Sequence, residues 1–542
     1  MSWGSAYLER RRDLTRRGPP TLTGRPRRGL LPWAAVIGLI FVLFAGATLL
    51  TKRPWVDEAW FTSPGLDLVV HGRLGTLLLD PAGSNLRLLN PGAVLKGIDQ
   101  HTYWVMPLHL LQLALWGRMF GFSVFSIRIP GVLWGLIAIA SLAIIIRRLY
   151  PENRDAAIVG AAVLAMDFGF VTFAADGRMD MMCSALGFAA LAVYLSLRTV
   201  NFQLAVALSH VIAAAACFTH PNGVFGSAAL LLAMGWLDRR RVRPMTAALV
   251  VAPYVLGTAM WALYCAQAPA DFMAQFSANG AGRLSDALAP WRGVWREIRG
   301  RYLTHYWPGY SVSGKLKITG LILTISAVAA FGALPALRRS DGCRLLLALT
   351  GLRFVCLSVG ASVKYTYYLV HIIPYFAALI GIAITYAWYS GGVKIRLPGA
   401  AALAVYFGVQ ASALFHSAVS LHSYQEEYAP LIRYLRSNIR ADDLVAGSAE
   451  LGFGLGFFNP RLVDDVWLGY WSGRQPTMVV VDPTYYAEVF KTATRKGMPS
   501  PHYFDEMMRS RYILIAEIQG CRIYRRSEAN ASASAATVRA GG

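Results

Sequence analysis

The chain has 542 residues, 55% of them hydrophobic and only 15% charged. That balance excludes an ordinary soluble enzyme and fits a polytopic membrane protein. The net charge of +22 would suggest nucleic acid in a soluble protein. Here the excess cations sit in short segments between apolar runs, where membrane proteins keep cytoplasmic Lys and Arg, so no nucleic-acid partner is expected.

Residues 1–29 hold Arg10, Arg11, Arg12, Arg16, Arg17, Arg25, Arg27 and Arg28 and read as a basic cytoplasmic tail. The first apolar run, Leu30 to Leu50, is long enough to span a bilayer, and no small-residue cleavage site clearly follows it. The long segment 51–123 then lies on the outer side. Its later part, Tyr103 to Phe120, is apolar but broken by Pro107, His109, Gln112 and Arg118, which suits a helix lying in the interface.

Ten further runs alternate across the membrane: Val124–Ile146, Ala156–Ala174, Met182–Leu197, Leu204–Phe218, Val224–Leu237, Met245–Cys265, Ile318–Leu337, Leu345–Ala361, Leu369–Tyr389 and Leu397–Phe415. Their cytoplasmic ends carry Arg147-Arg148, Arg198, Arg239 to Arg241, Arg338-Arg339 and Lys394. The expectation is an α-helical polytopic membrane protein with about 11 spans, within 9–13, with the N-terminus inside and the C-terminus outside.

The chain divides into the tail 1–29, a membrane domain 30–418, an outer α/β domain 422–527 and a disordered Ala/Ser/Gly tail 528–542. In the outer domain, helical spacing runs from Glu426 to Ile439, with further helices around Ala487–Thr494 and Phe504–Arg509. Strands are expected at Leu444–Ala446, Met478–Val481, Tyr512–Ala516 and Arg522–Tyr524. The six cysteines suggest neither a zinc site nor a disulfide framework.

Four polar clusters reach one face under this topology: Asp57-Glu58 after the first span, Arg178 with Asp180, the His220 turn, and Lys364 with Tyr367 and Tyr368. Each has a plain alternative as loop charges or, for His220-Pro221-Asn222-Gly223, a turn. Gathered at one level, they look like a site. Carboxylates can take a proton from an incoming hydroxyl or hold a divalent cation, Lys and Arg can bind phosphate, and Tyr and Trp can stack on sugars. Together they suit group transfer from a lipid-phosphate donor.

Here the sequence resembles the C-type membrane glycosyltransferases that use polyprenyl-phosphate sugars, including protein O-mannosyltransferase relatives and the aminoarabinose transferases. The resemblance rests on Asp57-Glu58, the stretch Pro107–Gly121 followed by Arg128-Ile129-Pro130, Gly177-Arg178-Met179-Asp180, and Lys364–Leu369 with Pro374. It covers roughly residues 30–390, plus an outer domain of the kind some members carry. It implies Asp57 as base or acceptor-orienting carboxylate, supported by Glu58. Asp180 and Arg178 form a second acidic element, and Lys364, with Tyr367 or Tyr368, contacts the donor phosphate. Asp57 and Asp180 are the candidate ligands for a divalent cation. Val105 and Met106 stand where many members carry an acidic residue or His, and Asp99, His101 or Tyr103 just upstream are the candidate substitutes. Trp60 stands where aminoarabinose transferases have Arg, so that substrate is not implied.

The implied reaction inverts the anomeric centre, moving a monosaccharide onto a lipid, glycan or protein acceptor on the outer face of a bacterial inner membrane, among membrane lipids. The competing readings are a flippase of lipid-linked sugar, against which the lack of internal symmetry speaks, and a non-catalytic scaffold.

Overall fold

The structure is a computed structural model that describes residues 30–280, 283, 285–306, 314–390, 392–459 and 461–527. The two expected tails, 1–29 and 528–542, lie outside the described residues.

In hydrocarbon every backbone polar group needs an internal partner, so long apolar runs become helices. The first run forms α1 (Leu30–Thr51). Two loop helices follow, α2 (Val56–His71) and α3 (Pro107–Phe120). They cross closely because Gly65 has no side chain: a Cβ there would stand 3.1 Å from the Ala114 nitrogen and 3.2 Å from the Leu110 oxygen. The expected interfacial helix is thus α3, begun at Pro107, which fits a first helical turn.

The bundle continues through α4 (Val124–Leu149), α5 (Asp155–Met166), α6 (Phe168–Ala174), α7 (Met179–Leu197), α8 (Phe202–Thr219), α9 (Gly223–Asp238) and α10 (Pro244–Cys265). A loop region carries α11 (Pro269–Gly280) and α12 (Pro290–Arg296), the latter running on as a wider helix to Tyr306. Then come α13 (Gly314–Ala333), α14 (Pro335–Arg339), α15 (Asp341–Gly360), α16 (Ile373–Ser390) and α17 (Val393–Phe415).

Among the described residues eight helices are long and apolar enough to cross a membrane, and the pair α5–α6, bent by 65°, brings the number to nine if it counts as one span. The polytopic helical fold read from the sequence is therefore present, with two runs altered. Val224–Leu237 becomes the 16-residue α9, and Ile318–Leu337 breaks before Pro335. The bend between α5 and α6 falls at Asp167. Its Oδ1 caps the next helix through the Phe170 amide at 2.9 Å, and its Oδ2 accepts from Tyr306 at 2.8 Å and Tyr406 at 3.2 Å.

The basic helix ends gather at the far end of the bundle. Arg198 pairs with Asp238 at 2.6 Å, Arg241 donates to the Arg198 carbonyl at 2.7 Å, and Arg344 lies over Trp236.

At the other end sits a five-stranded sheet of order β2-β1-β3-β5-β4. It comprises β1 (Val445–Ala446), β2 (Leu462–Val463), β3 (Met478–Val481), β4 (Tyr512–Ile518) and β5 (Cys521–Arg526), with β1 parallel to β2 and β3, and β5 antiparallel to β3 and β4. The helices α18 (Ala429–Asn438), α19 (Gly452–Leu455), α20 (Pro483–Arg495) and α21 (Ser500–Arg511) complete it. Gln519 and Gly520 take positive φ at the β4–β5 turn, as a tight hairpin requires.

The loop after α2 is clamped onto this unit. Leu79 bridges to Asp464 beside β2, Trp467 donates to the Ser84 carbonyl at 3.2 Å, and Arg474 pairs with Asp80 at 2.9 Å. One apolar core is shared by α2, α3 and the sheet: Trp60, Phe61, Leu78, Leu110, Leu451 and Met478 all belong to it. So α2 is held between the helical bundle and the sheet.

Candidate active site

Asp57 and Glu58 occupy the first turn of α2, where the helix dipole favours anions. Adjacent helical residues point in different directions, and the two carboxylates have different surroundings. Glu58 is fully buried. It receives Arg128 Nε and Nη2, both at 2.7 Å, and the amides of Trp55 and Gly177, both at 2.8 Å. Burial pushes its carboxyl up, but Arg128 beside it, helped by Lys52 and the Gly177 amide, holds it below the ordinary glutamate range. Arg128 also donates to the carbonyls of Leu49, Lys52 and Arg53 at 2.8–3.0 Å. The pair therefore knots together the end of α1, the starts of α2 and α4, and the Gly177 loop. With its acceptor positions filled by protein donors, Glu58 has the geometry of a strut.

Asp57 stays partly exposed and pairs with Arg178. The same guanidinium donates from Nε to Asp180 at 3.0 Å, so the two expected carboxylates meet on one cation. Arg178 lies 3.7 Å over the Tyr367 ring and 4.9 Å from that of Trp55, which fixes its plane. Asp180 Oδ1 is buried with no partner among the described residues, as is His109 Nδ1. His109 faces the Gly177 carbonyl at 3.2 Å, and burial pushes it down to about 4. His220 is likewise pushed down to about 4 by burial; it accepts from the Asn222 amide at 3.0 Å and packs on Tyr368. Both imidazoles are neutral at physiological pH.

Lys364 is differently placed from the expectation of a phosphate contact. Its ammonium donates to the Ser358 carbonyl at 2.6 Å and pairs with Asp286 at 3.1 Å and Glu297 at 3.5 Å, so its charge is consumed by the protein. His101 stacks on Tyr103 and meets Tyr264, in packing separate from the Asp57 cluster.

The residues that sequence reasoning passed over are two buried arginines and a buried histidine. Arg301 is 0% exposed, Arg353 4% and His371 2%. Arg301 pairs with Glu297, yet its Nε and Nη2, the Arg353 Nε and Nη1, and the His371 Nε2 have no hydrogen-bond partner among the described residues. Arg283 reaches the Tyr368 hydroxyl at 3.5 Å, and Arg301 lies 5.8 Å from the Tyr368 ring. Orphaned buried donors, here from two guanidiniums and one imidazole that burial and the arginines hold uncharged, are costly and form a ready seat for an anion. Arg353 and His371 could have been flagged from sequence, because an ionisable residue inside an apolar run is a functional signal; Arg301 had no such mark.

A divalent cation does not fit between Asp57 and Asp180 as they stand. The Arg178 guanidinium fills that place, and no cluster of three or more His, Cys, Asp or Glu among the described residues could hold a metal.

The chain thus combines a helical bundle, two loop helices behind its first span, an acidic pair at the start of the first of them, and a small sheet. Residues 103–264 match the model of the dolichyl-phosphate-mannose-protein mannosyltransferase family. The chain is similar to ArnT from Cupriavidus metallidurans bound to undecaprenyl phosphate, at 14% identity and TM-score 0.56, over 92% of this chain and 99% of that one. Apo ArnT from the same organism gives 13% identity and TM-score 0.57 over 92% and 98%. The archaeal oligosaccharyltransferase AglB from Archaeoglobus fulgidus is more distant, at 12% identity and TM-score 0.49 over 92% and 74%. No curated protein sequence matches. The resemblance read from the sequence is borne out by the family match, and the fold by the ArnT structures.

Proposed function

We propose that the protein transfers a monosaccharide, with inversion, from a polyprenyl-phosphate donor to an acceptor on the outer face of a bacterial inner membrane. The observation that carries this reading is the pairing of two opposite environments: a carboxylate wall of Asp57 and Asp180, and a buried surplus of cations with unmet donors. ArnT, which shares the fold, is described as bound to undecaprenyl phosphate.

In this reading Arg301 and Arg353, with His371 beside them, hold the donor phosphate, and Arg283 and Tyr368 flank it. Asp57 orients the acceptor hydroxyl and takes its proton as the new C1–O bond forms. The C1–O bond to phosphate breaks in the same displacement, and polyprenyl phosphate leaves with one more negative charge. Buried cations stabilise that developing charge. Arg178 pairs with Asp57 and aims it. Glu58 and Lys364 position the machinery without touching reactants. The basic helix ends at the opposite face support a cytoplasmic position for that face and an outer one for the site.

The test is mass analysis of cell-envelope glycans from cells with the wild-type chain, without it, and with Asp57→Asn. A monosaccharide lost in both of the latter supports the proposal. Transfer that survives Asp57→Asn at normal protein level overturns it.

A further inference from the structure

The donor accounts for one side of the site. On the other side, between α1, α5–α6, α13, α16 and α17, lies a cavity of about 310 Å³. The segment Thr366–His371 is the wall between the two. Thr366 and Leu369 line the cavity, while Tyr368 and His371 belong to the cation cluster.

The cavity has an apolar wall that includes Val163, Ile380 and Val409, and among its polar groups Asp167 accepts from Tyr406 and Gln410 accepts from the Phe168 amide. Its polar residues near the sheet end include Lys52, His416 and Ser423, just past the ends of α1 and α17. From Val409 to His416, and from Ile373 to Ile380, is roughly 10 Å at 1.5 Å per residue. That is about a third of a 30 Å hydrocarbon core. The polar end adjoins the chemistry: Lys52 pairs at 2.5 Å with Asp176, two residues before Arg178. An occupant with its apolar part in the cavity has its head beside Lys52, which is paired with Asp176.

We infer that this cavity receives the hydrocarbon chain of the acceptor, so that the acceptor is a membrane amphiphile and not a soluble glycan or a protein. The inference rests on the proposed function. It follows from the division of the site: the anionic leaving group has its own seat across the Thr366–His371 wall, and a second substrate must approach Asp57 from the opposite side. An opening there with a large apolar wall and Lys52 at its end selects a chain with a polar head.

The experiment uses the full-length protein in nanodiscs with two photoprobes: an acyl lipid with a diazirine at its chain end, and a benzophenone-bearing polyprenyl phosphate. Labelled peptides are mapped by mass spectrometry. Saturable acyl labelling within residues 163–173 and 405–417 is expected, with prenyl labelling near Arg301 and Arg353. Val409→Trp, which fills the cavity, should cut the acyl label at least fivefold and leave the prenyl label in place. In cells, the transferred sugar should appear in the organic-solvent-extractable fraction and disappear with Val409→Trp. Prenyl labelling inside the cavity makes it a donor-chain groove and overturns the inference, as does absence of acyl labelling while prenyl labelling and transfer persist. Loss of prenyl labelling everywhere, with transfer indifferent to Asp57→Asn, indicts the proposed function instead.

Discussion

Glu58→Gln separates a strut from a catalytic group. The wild-type carboxylate receives Arg128 Nε and the Gly177 amide on one oxygen, and Arg128 Nη2 and the Trp55 amide on the other. In glutamine one of those oxygens becomes an NH2. Whichever way the amide is turned, it faces two donors. The variant also leaves Arg128 buried without its counter-charge. Breaking one partner of a buried pair costs about 3–5 kcal/mol. Arg128→Met should be at least as severe, because it orphans the Glu58 charge together with the Leu49, Lys52 and Arg53 carbonyls. The assay is thermal unfolding of purified protein in detergent, read beside transfer per folded molecule and polyprenyl-phosphate affinity. Glu58→Gln should lower Tm by several degrees and the folded yield with it, while the folded fraction binds polyprenyl phosphate normally. A variant with unchanged Tm and no transfer would refute the strut, because Glu58 would then act on the reactants.

Asp57→Asn should do the opposite, abolishing transfer at unchanged Tm, because its side chain is partly exposed and Arg178 retains Asp180. Arg353→Ala removes charge-assisted donors worth about 1.5–3 kcal/mol, so polyprenyl phosphate should bind roughly 10- to 150-fold more weakly by titration; unchanged affinity rejects the phosphate seat. Burial beside Glu450 and Asp465 pushes Asp464 up to about 8 from 3.8, against the opposing hydrogen bond from Trp60. Its folded pKa is raised, so its contribution to stability is fully present below about 3.8 and falls as the pH rises to about 8. Asp464→Asn should therefore gain Tm relative to wild type across that window, and a difference independent of pH counts against the shift. Gly65→Leu pushes α3 off α2 and should cost about 1–3 kcal/mol by the same unfolding assay.

The bundle was legible because each run is apolar over most of its length. The hairpin β4–β5 was legible from its β-branched and aromatic residues, whereas β2 has only Leu462 and Val463 and leaves no pattern. The bend within Ala156–Ala174 had one signal, a lone Asp167 in an apolar run, which hydropathy averaging absorbs. The meeting of Asp57, Arg178 and Asp180 was expected; that Arg178 would itself lie between the carboxylates was not, since a cation in that position could equally have been a metal. Glu58 and Lys364 were read as working groups because sequence shows charge but not its partners. Arg301, Arg353 and His371 converge from segments with no fixed spacing, so no motif announces them.

The clamp between the loop after α2 and the sheet has a bearing on biogenesis. Leu79 waits for Asp464, Ser84 for Trp467, and Asp80 for Arg474, almost four hundred residues on. A ribosome must therefore finish nearly the whole chain before α2 can settle and Asp57 find its final place. Half-made molecules, already threaded into the lipid, are thereby kept from consuming donor until the last strands dock.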